Sequence, residues 1–373
     1  MEHFITDYKI VNPAGPERAV LEDSIMHKGR PVTAGSKILE NFVSPIDAAV
    51  VTRLETAGIT ILGKTKMDEF GIAGLFEDAS LEPSGAVSAV AEGIADFALC
   101  NDYSGAVGQQ AAMRGLYYIH PTYGTVSRYG LIPAVCSMDQ IGIVCKTIAD
   151  GSRILSIISG HDTRDGAMVM GEIRNSEFGM RNNSRIRIGV PQNIFPKIPG
   201  EASSVGFIGD FETVYFDLKY FNVYAQVMQI LCCAEMNGNV SRYDGIKFGY
   251  RTDRFADLHE LYTKSRTEGF GPDAKLATVI GAMVLSQEYY SRFYDKAMRI
   301  RRLIKDSLEF GKYDVILLSP LGQESDRKLE LHALPRLCGL PALTVPFGSS
   351  WITLVADVRR EDILFSAIKE MGL

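Results

Sequence analysis

Nowhere does this chain approach the ~20 consecutive apolar residues that a membrane-crossing helix needs. The opening "MEHFITDYKI" also lacks the basic start and apolar centre of a secretory leader. An excess of positive charge is missing too. The formal charge is -6 and the pI near 5.6, so nothing draws the whole molecule to nucleic acid or an anionic membrane. Cysteine is sparse, six residues with no C-x-x-C pair. That excludes a disulfide framework or a thiolate zinc ribbon, and reads as buried free thiols in a reducing cytoplasm. Among the histidines, His27, His161, His259 and His332 show no H-x-x-x-H spacing, so neither a metal nor a cofactor is expected.

What is present is globular. Hydrophobic residues at 46% and charged ones at 23% across 373 residues allow a sizeable core and exclude disorder. "NPAGPER" is turn chemistry, so residues 1–20 read as an irregular lead-in. "SPIDAAVVTRLETAG" reads as an amphipathic helix capped by Ser44 or Asp47, followed at once by a β-branched strand, "ITILG". "GAVSAVAEGIADFALC" repeats helix then strand, and "RIRIGVP", "YDVILLSP" and "LPALTVP" are further buried strands closed by proline. From about residue 275 to 309, apolar residues from Leu285 to Leu308 recur at helical spacing, which predicts one long core-facing stripe. No repeat or linker divides the chain. The expectation is one α/β domain over 1–373, a central mixed sheet covered by helices on both faces.

The stretch "CNDYSGAVGQQAAMRG" has the small residues and glycines of a loop whose N–H groups could approach a reacting carbonyl. Its centre, Gly105-Ala106-Val107, holds no serine. Long blocks carry a resemblance: "TAGSKILENFVSP", "GITILGKTKMDEFGIAG", "HPTYGTVSRYGLIPAVCSMDQIG", "SRYDGIKFGYR", "SRTEGFGPDAK" and "KYDVILLSP", in that order from about Phe4 to Val345. With these the chain resembles the amidase signature family, and within it the A-subunit branch of the glutamyl/aspartyl-tRNA amidotransferases. The resemblance implies amide hydrolysis by a serine–serine–lysine triad, in which a neutral lysine takes the nucleophile's proton through a bridging serine.

Set against that pattern, all three catalytic positions are vacated. Glu22 in "LEDSIMHKG" stands where the lysine belongs, and reads as a negative charge opposing an oxyanion. Pro83, beside Glu82, stands opposite the paired serines, and Ala106 takes the nucleophile's place. By a looser count, Ala277 and Leu329 fall where the branch holds glutamine. The resemblance also implies shortening: the segment before "FIT", the loop between "FEDAS" and "GAVSA", residues 195–225 and the tail after "VPFGSS". Such losses would uncover apolar surface around residues 80–90 and 100–110, and with it a homo-oligomer or protein partner, amidotransferase-type subunits included.

Bland readings win elsewhere. Ser104 is a weak candidate for a displaced nucleophile, since no base lies in the same loops. Cys100 ends an apolar strand and reads as core; His120 reads as packing. Lys64 and Lys66 lack the G-x-x-x-x-G-K-[ST] of a phosphate loop. Asp68 and Glu69 read as capping or surface carboxylates. "MRIRRLIKD" reads as a solvated helix face, so tRNA contact by this chain alone is not expected. Two functions follow as expectations: a catalytically inactive amidase-fold protein acting by binding as a subunit, scaffold or regulator, or alternatively an active glutaminase subunit passing ammonia to misacylated tRNA.

Overall fold

A computed structural model describes residues 3–9, 15–76, 84–168, 185–195, 211–319 and 328–373. Among these residues eleven strands form a single sheet: β1 Phe4–Asp7, β2 Arg18–Glu22, β3 Thr60–Thr65, β4 Phe97–Asn101, β5 Tyr117–His120, β6 Ile141–Cys145, β7 Arg187–Pro191, β8 Glu212–Phe216, β9 Val315–Leu318, β10 Ala342–Phe347 and β11 Ser350–Ala356. Their order is β1-β3-β2-β4-β6-β5-β10-β11-β9-β7-β8. β2 lies parallel to β3 and β4, and β7 parallel to β8 and β9, while the remaining pairs are antiparallel. The sheet is mixed, as expected.

Helices cover both faces, and strand alternation shows how. Ala19, Leu21, Phe97, Leu99, Ile119 and Ile143 point into the larger core, which also takes Val50, Val51 and Leu54 of α1 (Ala49–Thr56) and Ile154 of α4 (Ile148–Ile158). Their neighbours Val20, Ala98, Cys100, Tyr118 and Val144 point the other way, against α2 (Gly85–Ala91) and α3 (Ala106–Ala112). This is the period-two pattern of a sheet buried on both sides. Small residues dominate the second face, so α2 and α3 lie close to the strands. Around the far half stand α5 (Tyr224–Val240), α6 (Leu258–Gly269), α7 (Pro272–Leu285), α8 (Tyr294–Asp306), α9 (Lys328–Cys338) and α10 (Glu361–Met371).

The strands expected at "ITILG", "ADFALC", "RIRIGVP", "YDVILLSP" and "LPALTVP" are all inside this sheet. Other expectations need correction. The lead-in read as irregular contains β1 and most of β2, because the neighbouring strand β3 supplies backbone partners that local turn chemistry does not foretell. Neither Ser44 nor Asp47 caps α1. Its N-cap is Ala48, while Ser44 Oγ turns to the Ile46 carbonyl and Asp47 accepts from Lys28 N–H. The single stripe over 275–309 is two helices, broken where Ser286 turns to an extended conformation. Leu285 and Phe293 flank that break and are exposed. Five cysteines are buried, but Cys136 is exposed.

Of the surface expected to be apolar, residues 80–83 lie outside the described residues, and the described part carries little of it. Among the described residues between 84 and 114 the only exposed large apolar one is Met113, whereas Leu276, Val279 and Met283 form an exposed stripe on α7, with Val279 at 67%. Among the described residues, no helix is long and apolar enough to cross a membrane.

Candidate active site

The loop from β4 to α3 is closed by one carboxylate. Asp102 Oδ1 accepts from the N–H of Gly105 at 2.8 Å and of Val107 at 3.3 Å, and Oδ2 accepts from Gly108 at 3.0 Å. Arg336 of α9 donates to the same Oδ2 at 3.0 Å and to the Asp102 carbonyl at 2.9 Å. Both side chains are buried, so the ion pair is held in a low-dielectric setting. Gly105 has φ +91°, and a Cβ there would lie 2.4 Å from His332. Only glycine fits that turn without strain. His332 in turn stacks on Trp351, the chain's one tryptophan, at 4.7 Å. The donors expected to face a reacting carbonyl are therefore engaged: Gly105 and Val107 with Asp102, and Ala106 N–H with Ser104 Oγ at 3.4 Å.

Beside this loop opens a cavity of about 640 Å³. It brings together Glu22 from the end of β2, Ser104 and Ala106 from the loop, and Lys66 and Asp68 from beyond β3. Pro83 and Glu82 lie outside the described residues. Their neighbour Ser84 lines the cavity and caps α2, accepting from Ala86 N–H at 3.3 Å while its own N–H donates to Gln110 Oε1.

Glu22 is 2% exposed. Its acceptors meet neutral donors, Ser24 Oγ at 2.7 Å and the Asn101 backbone. Burial, reinforced by Asp68 and Asp102, pushes its carboxyl up to about 8. It is accordingly a neutral acid near pH 7, not the fixed negative charge its residue type suggested. Lys64 does not answer it. In the β2–β3 register Lys64 stands opposite Leu21, so it points to the other face, where its ammonium donates to the Ile25 carbonyl and lies 3.6 Å from Asp23. Burial lowers Lys64 to about 8.

The weaker candidates separate clearly. Ser104 lines the cavity but is 5% exposed. Cys100 is fully buried within β4, and burial raises its thiol well above the ordinary range. His120 is buried at the end of β5, held well below its usual value by burial and by Arg336. Ala277 is fully buried in α7 and Leu329 half-buried in α9; neither lines the cavity. Asp68 and Glu69 act as acceptors for loop and helix starts, from Ala73 N–H and Gly271 N–H. Among the described residues, no three His, Cys, Asp or Glu side chains group as a metal site. Arg336 carries no sequence signal for this site, and His332 and Lys66, weighed above only as a metal ligand and a phosphate-loop lysine, join it through tertiary packing. Only the D-x-x-G pattern of Asp102 and Gly105 hinted at the loop's closure.

A family model described as Amidase matches residues 19–78 and 83–332. The A-subunit of glutamyl-tRNA(Gln) amidotransferase from Lachnoclostridium phytofermentans is 36% identical over 88% of this chain and 75% of its own length. The protein of the same name from Trichodesmium erythraeum is 33% identical over 93% of this chain and 81% of its own. In structure, the Thermotoga maritima protein of that name superposes with a TM-score of 0.73 at 25% identity, covering 98% of this chain and 85% of that one. A peptide amidase from Stenotrophomonas maltophilia shares the fold, with a TM-score of 0.71 at 21% identity, over 96% of this chain and 82% of that one. Sequence and overall fold agree, and the chain belongs to the amidase family.

Proposed function

We propose that this amidase-family protein does not cleave amides and works by binding, as a subunit, scaffold or regulator. The observation that carries the reading is the cavity floor. It holds a buried carboxyl, Glu22, and a methyl group, Ala106, at the positions where the resemblance puts the proton-accepting lysine and the nucleophile. A neutral carboxyl can donate a proton but cannot take one from a hydroxyl, and alanine cannot attack a carbonyl. Loss of a serine nucleophile alone costs on the order of 10⁶ in rate in a serine protease. A place in an assembly is supported by the relatives, which are named as subunits of an amidotransferase. The test is hydrolysis of aryl amides by the purified chain, expected at the buffer blank.

A second reading keeps activity of the family's kind, amide hydrolysis. One observation favours it: Ser104 and Lys66 line the same cavity, a hydroxyl and an amine. Turnover abolished by either Ser104→Ala or Lys66→Ala would establish this reading in place of the first.

A further inference from the structure

The cavity floor holds a buried carboxyl that only neutral groups contact. Glu22 is enclosed, and among the described residues no cation hydrogen-bonds to it, although Lys64 senses its charge through the sheet. Asp68 and Asp102 are acids, and Asp102 is already matched by Arg336. Cys100 and Tyr118 are neutral, both held protonated by burial. Lys64 belongs to Asp23 on the opposite face of the sheet. At the rim, His3 pairs with Glu92 at 2.8 Å, and Arg114, which is exposed, donates to Ser88 Oγ. Lys66 is exposed to solvent. A cavity of about 640 Å³ is of the size that encloses small organic ligands and far exceeds the ~30 Å³ of one water.

We propose that the cavity is a receptor for a small primary amine, whose ammonium group seats against the Glu22 carboxylate on its floor. This deepens the non-catalytic reading and rests on it. An ammonium carries three donors and no acceptor, which suits a floor of Glu22 carboxylate and Ser104 hydroxyl. Pairing adds a charge-assisted contact to a carboxyl held so far by neutral donors. Binding also moves a proton. Free Glu22 holds its proton below about pH 8, and the ammonium-bound form requires it ionised. The proton leaves to solvent as the amine binds, so affinity falls about tenfold per pH unit below 8.

The experiment is calorimetry on the full chain with n-butylammonium, butyrate and butyramide at pH 6, 7 and 8, in two buffers of different ionisation enthalpy. The expected result is that the amine binds at least about tenfold tighter than butyrate or butyramide, gains affinity with pH, and releases close to one proton at pH 7. Glu22→Gln should weaken the amine at least tenfold at pH 8 and flatten the dependence between pH 7 and 8, leaving only the smaller change near pH 6 that Asp68 brings, its carboxyl pushed up by burial to about 6. Should that variant not fold, proton release by the natural chain still decides. Preference for butyramide or butyrate, a pH-independent affinity for the amine, or no binding of any of the three overturns the proposal. Ammonia released from butyramide, measured in the same samples, reports separately on the non-catalytic reading.

Discussion

Lys64 and Glu22 lie on adjacent parallel strands one residue out of register, so the ammonium and the carboxyl project to opposite faces of the sheet. Each is buried and each is displaced toward neutrality by that burial, Glu22 up to about 8 and Lys64 down to about 8. They cannot form the pair that would stabilise both. Asp23 takes the lysine, and Glu22 is left with neutral donors.

That separation makes stability depend on pH with a defined sign. Glu22 ionises near 4.5 when unfolded and near 8 when folded, so the folded chain binds more protons between those values. Its contribution is fully present below pH 4.5 and is lost as pH rises through 8. Urea unfolding from pH 5 to 9 should show Glu22→Gln gaining stability over the natural chain by up to about 1.4 kcal/mol per pH unit. A difference that stays flat over this range contradicts the assignment.

Removing one partner of the Asp102–Arg336 pair should be costly. Arg336→Met leaves a buried carboxylate with N–H donors but no counter-charge. The expected loss is about 3–5 kcal/mol, and Asp102→Asn combined with Arg336→Met should cost less than the sum of the single changes. Chemical denaturation of the four proteins measures this coupling.

Gly105 is constrained twice, by its positive φ and by His332. Gly105→Ala should cost roughly 2–5 kcal/mol, the sum of left-handed strain and overpacking. Adding His332→Ala relieves the contact but not the backbone, so thermal stability should recover only in part, after allowance for the loss seen in His332→Ala alone.

Much of this arrangement is legible in the sequence, and the unreadable part has a common cause. β3, β4, β7, β9 and β10 follow from short apolar runs, since local composition and burial agree there. Glu22 and Ala106 stand out by their residue types, and both line the cavity. The partnership of Asp102 with Arg336 spans 234 positions and leaves no local trace. The break between α7 and α8 was hidden because apolar spacing continues across it, while tertiary contacts with α5 hold two separate helices. The state of Glu22 could not be read from its type, because burial rather than the residue sets its charge. The exposed stripe on α7 likewise arises from which face packs on α5.

A serine at position 106 should not be sufficient for activity. Ala106→Ser supplies a hydroxyl in the cavity, but Glu22 remains an acid where the family resemblance puts the proton acceptor, and triad members act as a unit. Aryl amide hydrolysis by this variant should stay at the level of the natural chain. Turnover raised by that single change would show that a base is already present.

The proposed reading has the family's chemistry lost from this cavity. Its most direct test is ammonia release from glutamine by the purified chain, compared with Ser104→Ala and a protein-free blank. All three are expected to be indistinguishable. Ammonia release by the natural chain that Ser104→Ala abolishes would contradict it.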